Sequence, residues 1–195
     1  MDRRKFTLAA LAAAVTAVAT PAWARLYYNP DTNKWEERTI TSNGHGHYTP
    51  IPRTTVPYDG KYKPGTIIVE TGERRLYFVL PGGEAMKYGI GVGRDGFRWA
   101  GQHTITRKAE WPGWTPPAEM RKRVPDLPAY MPGGPDNPLG ARALYIGATL
   151  YRLHGTSEPW TIGQAVSSGC IRLTNEDIID LYDRVRVGSM VVVHQ

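Results

Sequence analysis

With 195 residues and a formal charge of +6, the chain is long enough for one domain with a good core, and it does not read as a nucleic-acid binder, because no basic run or aromatic-basic ladder accompanies the charge. Its one cysteine, Cys170, has no intrachain disulfide partner. In an oxidising compartment such a residue is a contact to another chain, a buried passenger or a reactive thiol.

Residues 1–24 read as a signal peptide. A basic start (Arg3, Arg4, Lys5) precedes a twelve-residue apolar run, 8–19, and Ala22-Trp23-Ala24 gives the small-x-small pattern that a signal peptidase cuts after. The run falls short of the roughly 20 residues of a membrane-spanning helix, and no later stretch reaches that length. The expectation is an exported protein without a transmembrane anchor, periplasmic or cell-wall associated. Asp2-Arg3-Arg4-Lys5-Phe6 also resembles a twin-arginine signal, with an ordinary secretory signal as the alternative. The leader carries three basic residues and one acid, so its removal leaves 171 residues at +4, a balance that suits an anionic cell-wall surface.

Residues 25–62 are polar, aromatic and proline-bearing without clean periodicity, which predicts a linker or an extended arm wrapping the domain. His45 and His47 flank a glycine there, and with no further ligand nearby they read as a solvated loop rather than a metal site. From residue 63 strand signals begin. Segments 66–70 and 75–80 predict a hairpin around Thr71-Gly72, closed by Pro81-Gly82-Gly83, and 86–92 a third strand. Gly89, Gly91 and Gly93 lack the G-x-G-x-x-G spacing of a phosphate loop and read as a close-packed strand. Segments 102–107, 144–146 and 150–154 are further strands. Between them, 108–140 is rich in proline, tryptophan and charge and predicts a long loop, a lid or a binding surface. Its Trp111 and Trp114 either stack on a ligand or pin the loop to the body. Thr174 as N-cap, with Ile178, Leu181, Tyr182 and Val185 at i, i+3, i+4, i+7, predicts one helix over 175–185, followed by a terminal strand, 190–193. Many short strands and one clear helix argue for a mostly β domain, sandwich or barrel-like.

The chemistry concentrates in residues 154–173, HGTSEPWTIGQAVSSGCIRL. A cysteine becomes a useful nucleophile beside an imidazole. His154 ends a strand pattern and Cys170 follows sixteen residues later, so two strand ends joined by a loop can bring the pair together. Gly169 lets backbone approach a substrate, and the N–H groups around the nucleophile, at Gly169 and Ser168, are material for an oxyanion hole. No acid lies close enough in sequence to orient the imidazole, which leaves a backbone carbonyl, with Gly155 the candidate. Arg172 shares the thiol's face in a strand and can bind a substrate carboxylate. The alternative is a buried cysteine, a strand-end histidine and an arginine in a surface pair. Papain-like hydrolases place cysteine before histidine, and this chain has the reverse order.

His154-Gly155-Thr156, Gly163 and Ser167-Ser168-Gly169-Cys170-Ile171-Arg172-Leu173 resemble the signature of the L,D-transpeptidase catalytic domain of bacterial cell-wall enzymes. The resemblance covers about 63–195 and takes in 88–93, 101–105, Asn137-Pro138-Leu139-Gly140 and the helix. It implies a β-sandwich-like fold of mixed sheets, peptidoglycan stem peptides as partners, and neither metal nor organic cofactor. It also implies that Cys170 attacks the carbonyl of meso-diaminopimelate at position three of a tetrapeptide stem. D-alanine then leaves, with His154 as base and then acid, and the thioester passes to an amine to give a 3–3 cross-link. Water as acceptor would make an L,D-carboxypeptidase, and a protein amine an anchoring enzyme. A non-catalytic wall-binding protein is the reading from another class, against which the intact His154, Cys170 and Arg172 speak. Ser168 stands where many members have histidine, which favours His154 as the working imidazole.

Overall fold

The computed structural model describes residues 23–29, 34–40, 51–94 and 99–195. Apart from Trp23 and Ala24, the expected leader lies outside the described residues, as do His45 and His47. Among the described residues no helix is long and apolar enough to cross a membrane.

The segment 25–62 holds more regular structure than its lack of periodicity suggests. Strands β1 (Trp23–Asn29) and β2 (Lys34–Ile40) form an antiparallel hairpin. Strand β3 (Thr54–Pro57) pairs with β6 (Glu84–Gly89) at the edge of the main sheet. An edge strand needs no alternation, since it is mostly exposed, and it tolerates a proline that cannot donate to a ladder. The predicted hairpin is β4 (Ile67–Glu70) and β5 (Arg75–Leu80), joined across Thr71-Gly72. The glycine-bearing strand splits into β6 and the short β7 (Val92–Gly93).

Strand β8 (Gly101–Glu110) runs three residues into the segment expected as loop, and that segment also holds a short helix, α1 (Ala118–Arg123). The extension was masked because β8 is exposed over most of its length and so offers little apolar patterning. There follow β9 (Arg142–Ile146), β10 (Arg152–His154), β11 (Ala165–Ser167), β12 (Ile171–Arg172), α2 (Asn175–Arg184) and β13 (Met190–His194). Nine strands form one mixed sheet in the order β12-β10-β9-β8-β13-β4-β5-β6-β3. The β13–β4 and β10–β12 pairs are parallel and the rest antiparallel, and β7 and β11 make a separate parallel pair.

The sheet curls back on itself. Gly91, two residues past β6, exchanges backbone hydrogen bonds of 2.9 Å with Arg172 in β12, at the opposite end of the strand order. A Cβ at Gly91 would lie 2.9 Å from the Thr161 carbonyl oxygen and 3.5 Å from Cβ of Arg172, so close backbone approach requires the glycine. The mostly β, sandwich-like expectation is met by this curled mixed sheet. Its core joins Ile67, Leu76, Tyr88, Leu144 and Leu153 to Ile178 and Leu181 of α2.

Helix α2 begins at Thr174, whose hydroxyl accepts from the Asp177 amide at 3.1 Å, and its predicted stripe is buried at Ile178, Leu181 and Val185 and partly buried at Tyr182. At the other end Lys108 of β8 donates to the carbonyls of Tyr182 (2.5 Å) and Val185 (2.6 Å), with its ammonium over the Tyr182 ring. A cation there satisfies orphan carbonyls and opposes the helix dipole. Lys108→Met is therefore expected to lower stability by about 1–3 kcal/mol, read as a shift in denaturant midpoint; an unchanged midpoint would contradict the capping role.

Candidate active site

Strand β10 delivers His154 and the parallel β12 receives the chain just after Cys170, with Leu153 opposite Ile171 and His154 opposite Arg172. Leu153 and Ile171 point into the core. Alternation therefore turns His154 and Arg172 to the opposite face, and carries Cys170, two residues before Arg172, to that face as well. The thiol reaches along the start of β10, with Sγ 3.9 Å from the Leu150 carbonyl oxygen. Cys170 precedes β12 and, among the described residues, no hydrogen bond joins it to His154: the thiol's partner is the Leu150 carbonyl and the imidazole's is that of Gly155.

The imidazole is buried, and its Nδ1 lies 2.6 Å from the Gly155 carbonyl oxygen. A carbonyl only accepts, so Nδ1 carries the proton and Nε2 is left as the base. The orienting partner is therefore the backbone carbonyl of Gly155, as the missing acid suggested. Gly155 itself has no room for a side chain: a Cβ would sit 2.3 Å from Asn175 Oδ1. Asn175, in the first turn of α2, also accepts from the Ala141 amide at 2.9 Å. Upstream, the buried Asn137 donates to the carbonyls of Met131 and Pro132 and accepts from the Leu139 amide, which fixes the end of the 108–140 segment beside the histidine.

Burial holds the His154 pKa down to about 3, helped by the charges of Arg172 and Arg152, while the Gly155 and Leu139 carbonyls oppose the shift. The sign for stability follows. An unfolded histidine titrates near 6.5 and the folded one near 3, so between those values the unfolded chain binds more protons. The stabilisation from neutral His154 is complete above pH 6.5 and is lost as pH falls toward 3. Denaturant midpoints should fall across that window more steeply for the wild type than for His154→Gln; parallel profiles would contradict a buried neutral imidazole.

The turn before β12 is held by groups that local sequence did not single out. Ser167 Oγ donates to the Cys170 carbonyl at 2.5 Å and accepts from the Gly169 amide at 3.2 Å. Gly169 has φ of 102°, a conformation that favours glycine. Trp99 Nε1 donates to the Gly169 carbonyl at 3.0 Å, and the indole stacks on Tyr151 at 4.6 Å and 8°. Of the two expected oxyanion amides, that of Gly169 is taken by Ser167, whereas that of Ser168, like the Cys170 amide, finds no acceptor among the described residues.

Arg172 is paired: Nη1 lies 2.9 Å from Glu158 Oε2, both side chains largely buried. The pair ties the loop between His154 and Cys170 to β12, so it is an internal brace rather than a surface pair. Glu158 carried no sequence signal, because only folding brings it to Arg172. Trp111 and Trp114 are tied down through their backbones. The Trp111 amide donates to Ala141 at 2.8 Å, Trp114 exchanges backbone bonds with Met131, and neither hydrogen-bonds to the Cys170 turn. The Trp111 ring is half exposed, which leaves it free to meet a ligand. A groove of about 590 Å³ opens at the start of α2, lined by Arg53, Thr156, Ser157 and Asn175 among others, and Cys170 is not among its lining residues.

The thiol just before β12 and the buried, carbonyl-oriented imidazole of β10 thus lie at one end of a curled mixed sheet. The chain belongs to the L,D-transpeptidase family: the family model YkuD, the L,D-transpeptidase catalytic domain, matches residues 64–193. Two relatives from Escherichia coli strain K12 are the probable L,D-transpeptidase ErfK/SrfK, 44% identical over 136 residues (65% of this chain, 43% of the relative), and the probable L,D-transpeptidase YbiS, 42% identical over 134 residues (64% and 43%). The chain therefore spans less than half the length of these relatives. Among solved structures, the catalytic domain of an Enterococcus faecium L,D-transpeptidase acylated by ertapenem matches with a TM-score of 0.53 at 19% identity, covering 69% of this chain and all of that one. A Brucella melitensis protein described as a probable carnitine operon oxidoreductase matches with a TM-score of 0.51 at 46% identity, covering 74% of this chain and 94% of that one.

Proposed function

We propose that this protein is an exported peptidoglycan L,D-transpeptidase of the periplasm or cell wall that works through a thioester on Cys170. The observation that carries the reading is the parallel β10–β12 pairing, with the Gly155 carbonyl 2.6 Å from His154 Nδ1. That arrangement leaves Nε2 unprotonated and available as the base.

The donor is a tetrapeptide stem. Sulfur attacks the carbonyl carbon of its third residue as the thiol proton passes to His154 Nε2. An imidazole held so firmly neutral disfavours a standing ion pair, so the proton moves as the carbon–sulfur bond forms. The carbonyl oxygen becomes an oxyanion that the Cys170 and Ser168 amides can meet. When the intermediate collapses, the carbon–nitrogen bond to D-alanine breaks and the imidazolium returns its proton to the leaving amine. An acceptor amine, typically diaminopimelate of another stem, then attacks the thioester, gives its proton to His154 and releases the thiol with a 3–3 cross-link.

Incubation of the protein with tetrapeptide muropeptides tests the acceptor. Cross-linked dimers together with free D-alanine support transfer. Tripeptide with D-alanine and no dimer would make the enzyme an L,D-carboxypeptidase, and capture only by a protein amine an anchoring enzyme. No released D-alanine would reject the reading.

A further inference from the structure

The face that carries His154 also carries a cationic cluster to which the reaction steps above assign no substrate contact. Arg152 of β10 stands opposite Tyr145 of β9, and Tyr145 stands opposite Arg107 of β8. The Arg107 guanidinium lies 3.6 Å from the centroid of the Tyr145 ring and that of Arg152 lies 5.4 Å from it. The row exists because of an irregularity. Ile105 pairs with Ile146 in the core, and the register then shifts so that Arg107 meets Tyr145. Without the bulge, alternation would turn Arg107 to the same buried side as Ile105.

Charge balance marks the row further. Arg142 and Arg172 on the neighbouring strands have Glu110 and Glu158 as partners. Among the described residues Arg107 and Arg152 have no carboxylate partner. A guanidinium stacked on a ring uses its flat face there and keeps its in-plane N–H donors for a planar anion. The position is next to the reaction. Continuing the β10–β12 register back by one residue sets Arg152 level with Cys170, whose Sγ lies against Leu150 two residues earlier on the same chain segment.

We propose that Arg152 and Arg107, braced on Tyr145, bind a carboxylate of the acyl-donor peptide and select donors that carry it beside the scissile bond. This rests on the transpeptidase reading. Two carboxylates of a stem can supply the chemistry: the one at the C-terminus of the leaving residue and the one on the side chain of the third residue. Three synthetic tetrapeptide donors separate them, one with free carboxyls, one with the terminal carboxyl as amide and one with the side-chain carboxyl as amide.

Acylation of Cys170, followed by intact mass, should be about 10–100-fold less efficient for the wild type with one of the two amides, the loss of a charge-assisted bidentate contact. Arg152→Gln and Arg107→Gln should shrink the wild type's preference for the free-acid donor over the discriminated amide toward one, on top of any common change that Arg152→Gln makes through its charge on His154. Equal use of all three donors by the wild type overturns the proposal without any variant, as does an Arg152→Gln loss that is the same for every donor. If no donor acylates a wild-type protein whose Cys170 still reacts with iodoacetamide, the transpeptidase reading fails, and this site with it.

Discussion

Cys170→Ala should release no D-alanine from a tetrapeptide stem, while its unfolding midpoint stays close to the wild type. The thiol is half-buried in a turn held by other groups, Ser167 Oγ and Trp99 Nε1, so the substitution removes the nucleophile and little else. His154→Gln should be the milder lesion at the chemical step, lowering acylation by about 10²–10⁴-fold, the usual worth of a positioned acid–base group. The two should not add. Without the thiol there is no covalent path for the imidazole to assist, so the double variant should match Cys170→Ala. Residual turnover in Cys170→Ala comparable to the wild type would move the chemistry elsewhere on the sheet.

Gly140→Ala should be the most damaging small substitution away from the reacting groups. Gly140 has φ of 64°, and a Cβ there would stand 2.5 Å from the Thr156 amide nitrogen and 2.6 Å from the carbonyl carbon of Gly155. Those neighbours are backbone and cannot swing aside, so left-handed strain and overpacking combine to cost about 2–5 kcal/mol. The same carbonyl orients His154, so the clash is transmitted to the imidazole. The expected result is a lower unfolding midpoint together with a fall in acylation rate at temperatures where the variant is still folded. A variant as stable and as active as the wild type would show that the Gly140–Gly155 contact does not position the histidine.

Legibility followed locality. The β4–β5 hairpin, helix α2 with its Thr174 cap, and strand β10 ending at His154 were readable because each is encoded by spacing within a short window, alternation or a 3.6-residue stripe. Strand β3 and the end of β8 were not, because an exposed strand is defined by the partner that pairs with it. The helical turn at Ala118–Arg123 was hidden among prolines and lacks a side-chain cap. The supports of the nucleophile turn were hidden for the same reason as β3. Trp99 lies 70 residues before the Gly169 carbonyl it meets, and Glu158 finds Arg172 only when a loop folds over β12. Arg172 itself was visible as a neighbour of the thiol, but its ion pair was not.

The central claim is a covalent acyl-enzyme at one sulfur. Its most direct test is intact-mass spectrometry of the wild type and Cys170→Ala after brief incubation with a tetrapeptide muropeptide, followed by digestion to locate the adduct. The wild type should gain the mass of the donor less D-alanine, mapped to the peptide that contains Cys170, and Cys170→Ala should gain nothing. An unmodified wild-type protein that nevertheless releases D-alanine without passing through an adduct, or an adduct that persists in Cys170→Ala, would contradict it.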